Sequence, residues 1–167
     1  MEESKTLITL KQGILLEKRG MEFFRTIACQ VKDPKVKEFF NEMAEEEVVH
    51  LKFLTDLYNS LSKTGEFDSS VLERAKTTEI ADHVLDEDMI GKIEAASFES
   101  AAIDAAINFE KKAIELYSKR AAECEDEKEK EFYTYLANWE GDHLKDLEDI
   151  SEELKNKVWN DNSFWAF

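Results

Sequence analysis

Proline and glycine are nearly missing from this chain, with one Pro and five Gly in 167 residues. An all-β protein needs many tight turns built from these two residues, so an all-β fold is nearly excluded and long helices are the natural alternative. Cysteine is equally scarce. Cys29 and Cys124 stand far apart and form no Cys-x-x-Cys pair, which excludes a disulfide framework and a zinc ribbon. Two buried free thiols in a reducing cytosol are expected instead. No stretch approaches the roughly 20 apolar residues of a membrane span. Charges interrupt every apolar run of the opening segment MEESKTLITLKQGILLEKRG, which therefore does not read as a signal peptide. Positive charge is also deficient: 22 Lys and Arg face 38 Asp and Glu, for a net charge of −16. Nucleic acid and anionic membranes repel such a chain, whereas cations are drawn to it. What remains is a chain that is 43% hydrophobic and contains 11 Phe. That is too apolar for wholesale disorder, and its length suits about one domain.

The sequence matches itself without a gap at an offset of 93. Residues 10–61 lie over residues 103–154. Identical pairs include Glu17 and Glu110, Glu22 and Glu115, Asp33 and Asp126, Phe39 and Phe132, Glu47 and Glu140, His50 and His143, and Leu54 and Leu147. A gap-free match of this length points to a duplicated unit, and two copies are too few for a solenoid. Each unit reads as a helical hairpin. In the first, Leu7, Leu10, Ile14, Met21, Phe24 and Ile27 recur at helical spacing. Asp33-Pro34 breaks the pattern, because proline fits the first turn of a new helix. Val36, Phe39, Phe40, Met43, Leu51, Leu54 and Leu61 then continue it. The second unit repeats this around a turn at 125–127. Two hairpins whose apolar stripes face one another give an all-α four-helix bundle.

Between the hairpins lies a connector from Ser62 to about Lys92, opening with the helix stop Lys63-Thr64-Gly65 and carrying one or two short helices. Its length suits a second hairpin that starts at the far end of the bundle. The bundle domain is expected over residues 1–157. The aromatic tail, residues 158–167, is expected to pack over one end, contact with a partner being the alternative.

The two units share a second regularity. Glu17 precedes Glu47 by the same interval as Glu110 precedes Glu140, and each second glutamate is followed at i+3 by His50 or His143. On a helix, i and i+3 share a face. Glu17 and His50 are equidistant from the first turn, as Glu110 and His143 are from the second, so each set sits at one height, roughly 22–25 Å from its turn. Ile14, Met21 and Phe24 place Glu17 on an apolar stripe, and Ile107, Ile114 and Tyr117 do the same for Glu110. Gly13 and Gly20, and Ala106 and Ala113, keep the ligand faces small enough for ions and a small substrate. Four carboxylates inside an apolar bundle are costly unless neutralised, and two divalent cations neutralise them. Copied Glu–His pairs on a solvated face are the alternative, but two of only three histidines occupy matched positions. His83 lacks such partners and reads as a connector or surface residue. Glu22 and Glu115 point off the core face. Tyr117 and Tyr133 lie two turns from Glu110 and Glu140. Core packing is expected of both, with a hydrogen bond to a ligand carboxylate as the alternative.

One Glu from each of two helices and Glu-x-x-His from each of two others is the pattern of ferritin-like dimetal proteins. Over residues 5–157 the chain resembles that superfamily, and NEMAEEEVVHLKFLTDL at 41–57 is most similar to its rubrerythrin group. The resemblance implies two iron ions per chain, with manganese as a variant. Glu47 and Glu140 would bridge them, Glu17 and Glu110 would be terminal, and His50 and His143 would cap one ion each. It implies a cytoplasmic homodimer that reduces hydrogen peroxide, the centre passing from diferrous to diferric and being re-reduced through an Fe(Cys)4 site of rubredoxin type. Two departures stand out. This sequence lacks the four cysteines of such a site, so electrons would come from a separate donor such as a rubredoxin. Rubrerythrins usually carry a further glutamate three residues after the third-helix ligand, where this chain has Ala113. The more symmetric six-ligand set leaves open ferroxidase or iron-handling chemistry with dioxygen, and a metal-stabilised module without enzymatic activity.

Overall fold

The computed structural model describes residues 4–78, 87–93 and 97–160. These residues form six helices: α1 (Lys5–Gln30), α2 (Pro34–Thr64), α3 (Ser70–Lys76), α4 (Glu87–Gly91), α5 (Phe98–Glu123) and α6 (Glu127–Asn160). There is no strand among the described residues. α1 packs along α2, and α5 along α6. These two antiparallel hairpins are the two units of the repeat, and together they make the expected four-helix bundle.

Both hairpin turns are built alike. The Asp33 carboxylate accepts from the backbone N–H groups of Lys35 and Val36 at 3.0 and 3.3 Å, with Pro34 at the first helical position. Asp126 does the same for Lys128 and Glu129, at 2.9 Å each. Each aspartate thus satisfies donors that the first turn of a helix leaves unpaired. Beside the second turn, Arg120 binds the Glu129 carboxylate at 2.7 Å and the Thr6 hydroxyl at 2.9 Å, tying α5 to α6 and α1. α2 ends at Gly65, whose φ of 74° is the left-handed geometry glycine favours.

The connector traverses the bundle. α3 lies beside the start of α6, where Tyr135 donates to the Ala75 carbonyl and Lys76 pairs with Glu131. α4 lies at the opposite end, with Asp88 paired to Lys35 at the start of α2 and the Ile90 carbonyl accepting from Lys157 near the end of α6. The second hairpin therefore begins at the far end, as the connector length implied. His83 and residues 161–167 of the aromatic tail lie outside the described residues. α6 itself continues through position 157 to Asn160.

One expectation fails. Neither thiol is buried: Cys29 is exposed and Cys124 is half-buried. Ile27 and Ala28 take the core-facing positions of the last turn of α1, and the 100° step to the next residue carries Cys29 out to solvent. Cys124 caps the end of α5 at the turn, where the chain leaves the bundle.

The core comes in two blocks. One centres on Phe24, Phe40, Met43, Ile103 and Leu147, and the other on Leu10, Leu54, Tyr117, Phe132 and Leu136. The matched glutamates and histidines lie between them in sequence register on all four long helices.

Candidate metal centre

Each long helix contributes to this middle layer. α1 supplies Glu17, α2 supplies Glu47 and His50, α5 supplies Glu110, and α6 supplies Glu140 and His143. All six are at most 3% exposed. They form two tetrads that could hold a metal ion: Glu17, Glu47, His50 and Glu140, and Glu47, Glu110, Glu140 and His143. Within each tetrad the candidate ligand atoms lie within 4.8 Å of one another. Glu47 and Glu140 belong to both tetrads.

The imidazoles are oriented alike. His50 Nδ1 lies 2.9 Å from Glu140 and 3.4 Å from Glu47. His143 Nδ1 lies 3.2 Å from Glu140 and 4.0 Å from Glu110. In both rings Nδ1 thus faces the carboxylates and Nε2 points outward. No hydrogen-bond donor satisfies Glu47 Oε2, Glu110 Oε1 or either oxygen of Glu140 among the described residues. Buried carboxylate oxygens without donors are expensive, and oxygen plus imidazole donors suit Fe, Mn or Zn ions. The residues present therefore fit a pair of divalent cations.

Electrostatics leads to the same reading. Burial raises the Glu47 carboxyl well above the ordinary range, and Glu17 and Glu140 add to the shift. Glu110 is raised in the same way by burial and by Glu140. Burial alone would lower both imidazoles, but the surrounding carboxylates overcome it. Glu140 is foremost in raising His50, and Glu140 and Glu46 push His143 up to about 10. Glu140 would itself be raised by burial, yet His50 and His143 hold it far below the carboxylate range. Without an ion, this layer retains protons because it needs positive charge.

Of the two tyrosines, Tyr117 does more than pack. Its hydroxyl donates to Glu17 Oε1, so the hydrogen-bonding alternative holds for it. Burial and the nearby Glu17 and Glu140 keep the phenol protonated by raising its pKa. Gly13 makes room for it, since a Cβ there would sit 3.1 Å from the Tyr117 hydroxyl and 3.2 Å from Leu54 Cδ1. Tyr133 stacks on Tyr117 at 6.1 Å, and its hydroxyl has no partner among the described residues, which is the packing role. Glu22 and Glu115 are exposed, as expected.

Sequence reasoning missed Glu46 and Trp139. Glu46 Oε2 accepts from the Trp139 indole at 2.7 Å and lies 2.7 Å from His143 Nε2. A signal was present in the run Glu45-Glu46-Glu47. At 100° per residue, one neighbour of an inward Glu47 must lie on the flank of the buried face. Glu46 does, while Glu45 is exposed.

No curated protein and no solved structure matches this chain. The family model for rubrerythrin matches residues 9–151, a span containing both tetrads, and the chain therefore belongs to the rubrerythrin family.

Proposed function

We propose that this protein is a non-haem diiron oxidoreductase that reduces hydrogen peroxide with electrons from a separate donor protein. The observation that carries the reading is the pair of buried tetrads sharing Glu47 and Glu140. Glu17 and His50 would complete one ion position, Glu110 and His143 the other. Bound iron would supply the two electrons that, with two protons, convert one peroxide to two waters.

The chain's own residues would set the conditions. Tyr117 holds its proton on Glu17 Oε1 and so fixes that carboxylate's rotamer. The indole of Trp139 and His143 both converge on Glu46 Oε2, which aims the Nδ1 atom of His143 inward. Ala113 lines the α5 face one turn beyond Glu110 and adds no carboxylate. The two apolar blocks on either side keep the layer dry, which strengthens its electrostatics. The 167 residues contain two cysteines, so an Fe(Cys)4 electron donor must lie outside them.

The test is anaerobic loading with two Fe²⁺ per chain, followed by rapid mixing with hydrogen peroxide or with dioxygen while the ferric absorbance is recorded. Oxidation much faster with peroxide is the expected result. Faster oxidation by oxygen with continued consumption of added Fe²⁺ would replace this reading with a ferroxidase. Absence of any reaction would leave a metal-stabilised module. Glu47→Ala should lose the bound iron, and full occupancy in that variant would overturn the ligand assignment.

A further inference from the structure

The repeat makes the two halves of the site comparable position by position, and they differ outside the ligands. Residue 46 in the first unit corresponds to residue 139 in the second. The first is glutamate and the second tryptophan. These two side chains reach across the bundle and hydrogen-bond to each other at 2.7 Å. The consequence for the histidines is unequal. His143 Nε2 lies on the Glu46 carboxylate at 2.7 Å. His50 Nε2, its counterpart, has no hydrogen-bond partner among the described residues. In the place of a second acid, the Trp139 ring meets the His50 ring edge-on, with centroids 4.4 Å apart and planes at 87°.

Resting on the dimetal reading above, we infer that the two ion positions are inequivalent. The Glu110/His143 position fills first and holds its ion more tightly, with Glu46 as its positioning residue, and the Glu17/His50 position is the exchangeable one. The physical reason is the outer nitrogen. A ligating imidazole that donates its other N–H to a carboxylate has its tautomer fixed and its ligating nitrogen made more basic. Glu46 does this for His143. Glu46 can serve as an ionised acceptor twice over, because the Trp139 N–H and the His143 N–H both point at the same oxygen. Among the described residues nothing accepts from His50 Nε2, so packing alone orients that edge of its ring and no carboxylate there adds to the basicity of Nδ1. Tyr117 does not offset this, because it steadies Glu17 and leaves the His50 ring alone. The shared ligands Glu47 and Glu140 cannot create the difference, since both positions use them.

The test is calorimetric titration of the metal-free protein with Mn²⁺, which binds without redox chemistry. Two steps are expected, the first about tenfold or more tighter than the second. Glu46→Gln keeps the shape and removes the charge. It should weaken the first step by roughly 10–100-fold and bring the two together. Trp139→Phe should leave the order intact, since a phenyl ring also offers His50 no acceptor. A second measurement on the unaltered protein does not depend on either variant folding. With one equivalent of Co²⁺, proton NMR should show a single slowly exchanging, paramagnetically shifted imidazole N–H, that of His143. Two equal steps, an unchanged first step in Glu46→Gln, or two such protons at one equivalent would overturn the inference while leaving the dimetal site standing. Failure to bind metal at all would overturn the dimetal reading itself.

Discussion

At the scale of single residues, the two halves of the repeat supply their own controls. Gly13 of the first unit and Tyr117 of the second correspond to Ala106 of the second and Phe24 of the first. The tyrosine hydroxyl occupies the space that the missing Cβ leaves. Tyr117→Phe strands a buried Glu17 oxygen and should cost about 1–3 kcal/mol in the metal-free protein. Gly13→Ala pushes a methyl against that hydroxyl and should also destabilise, although alanine favours helix by about 1 kcal/mol. The double variant recreates the alanine and phenylalanine found at the equivalent positions, Ala106 and Phe24. Its cost should therefore fall short of the sum of the two single costs by at least about 0.5 kcal/mol, measured by urea unfolding in a double-mutant cycle. Strict additivity would mean that Gly13 and Tyr117 do not share that space. The titrating residues give a second expectation. The His143 pKa is raised from 6.5 to about 10, and His50 is raised as well. The folded, metal-free state then holds protons that the unfolded chain releases. That contribution to stability is full below about pH 6.5 and is lost as the pH rises toward 10. Glu47 and Glu110, also raised, act with the same sign from about 4.5 upward. Glu140, lowered, has the opposite sign, but its contribution is complete well below pH 6.5. The melting temperature of chelator-treated protein should thus fall between pH 6.5 and 9.5, and saturating Mn²⁺ should flatten the slope because cations replace the protons.

At the scale of helices, the two turns carry the fold. Asp33→Ala and Asp126→Ala each remove a cap that accepts two backbone N–H groups. Each should cost about 1 kcal/mol, within roughly 0.5–2. The two sites lie at opposite ends of the bundle, so their effects should add, a point equilibrium unfolding in urea decides directly. This level of structure was largely legible in the sequence. The offset of 93, the Asp-Pro turn and the 3.6-residue stripes fix which segments are helices and which pairs form hairpins. The equal distances of Glu17 and His50 from their turn fix the height of the polar layer. What could not be read is anything that depends on which side of a helix boundary or flank a residue falls. Cys29 follows directly on two buried residues yet faces solvent. Glu46 stands in an acidic run that looks solvated, and its partner Trp139 breaks the repeat instead of continuing it. Contacts between non-identical positions leave no mark in a self-comparison. The hydroxyl of Tyr117 was legible only as a possibility, because its partner lies 100 residues away in the chain.

At the scale of the whole molecule, the polar layer is a fault between two apolar blocks. Without cations, four buried carboxylates crowd one another, and Glu47 and Glu110 are pushed toward their protonated forms, so the layer weakens the bundle it crosses. With cations, the same residues bind the two hairpins together, because each tetrad takes ligands from both. Stability and metal binding should therefore respond in opposite directions to loss of one charge. Glu47 is the sharpest place to test this, since it belongs to both tetrads and feels both Glu17 and Glu140. Glu47→Gln preserves its volume and removes its charge. In the metal-free state the variant should melt higher than the parent at pH 7, as removal of a strained functional charge often stabilises a fold. Under saturating Mn²⁺ the order should reverse. Two ions at about 100 times their dissociation constants add roughly 2.7 kcal/mol each to the parent, or on the order of 10–20 °C in melting temperature for a domain of this size. The variant should keep less than half of that rise. Paired thermal scans with chelator and with metal decide the matter, and a variant that melts below the parent in both would show that Glu47 supports the fold independently of any ion.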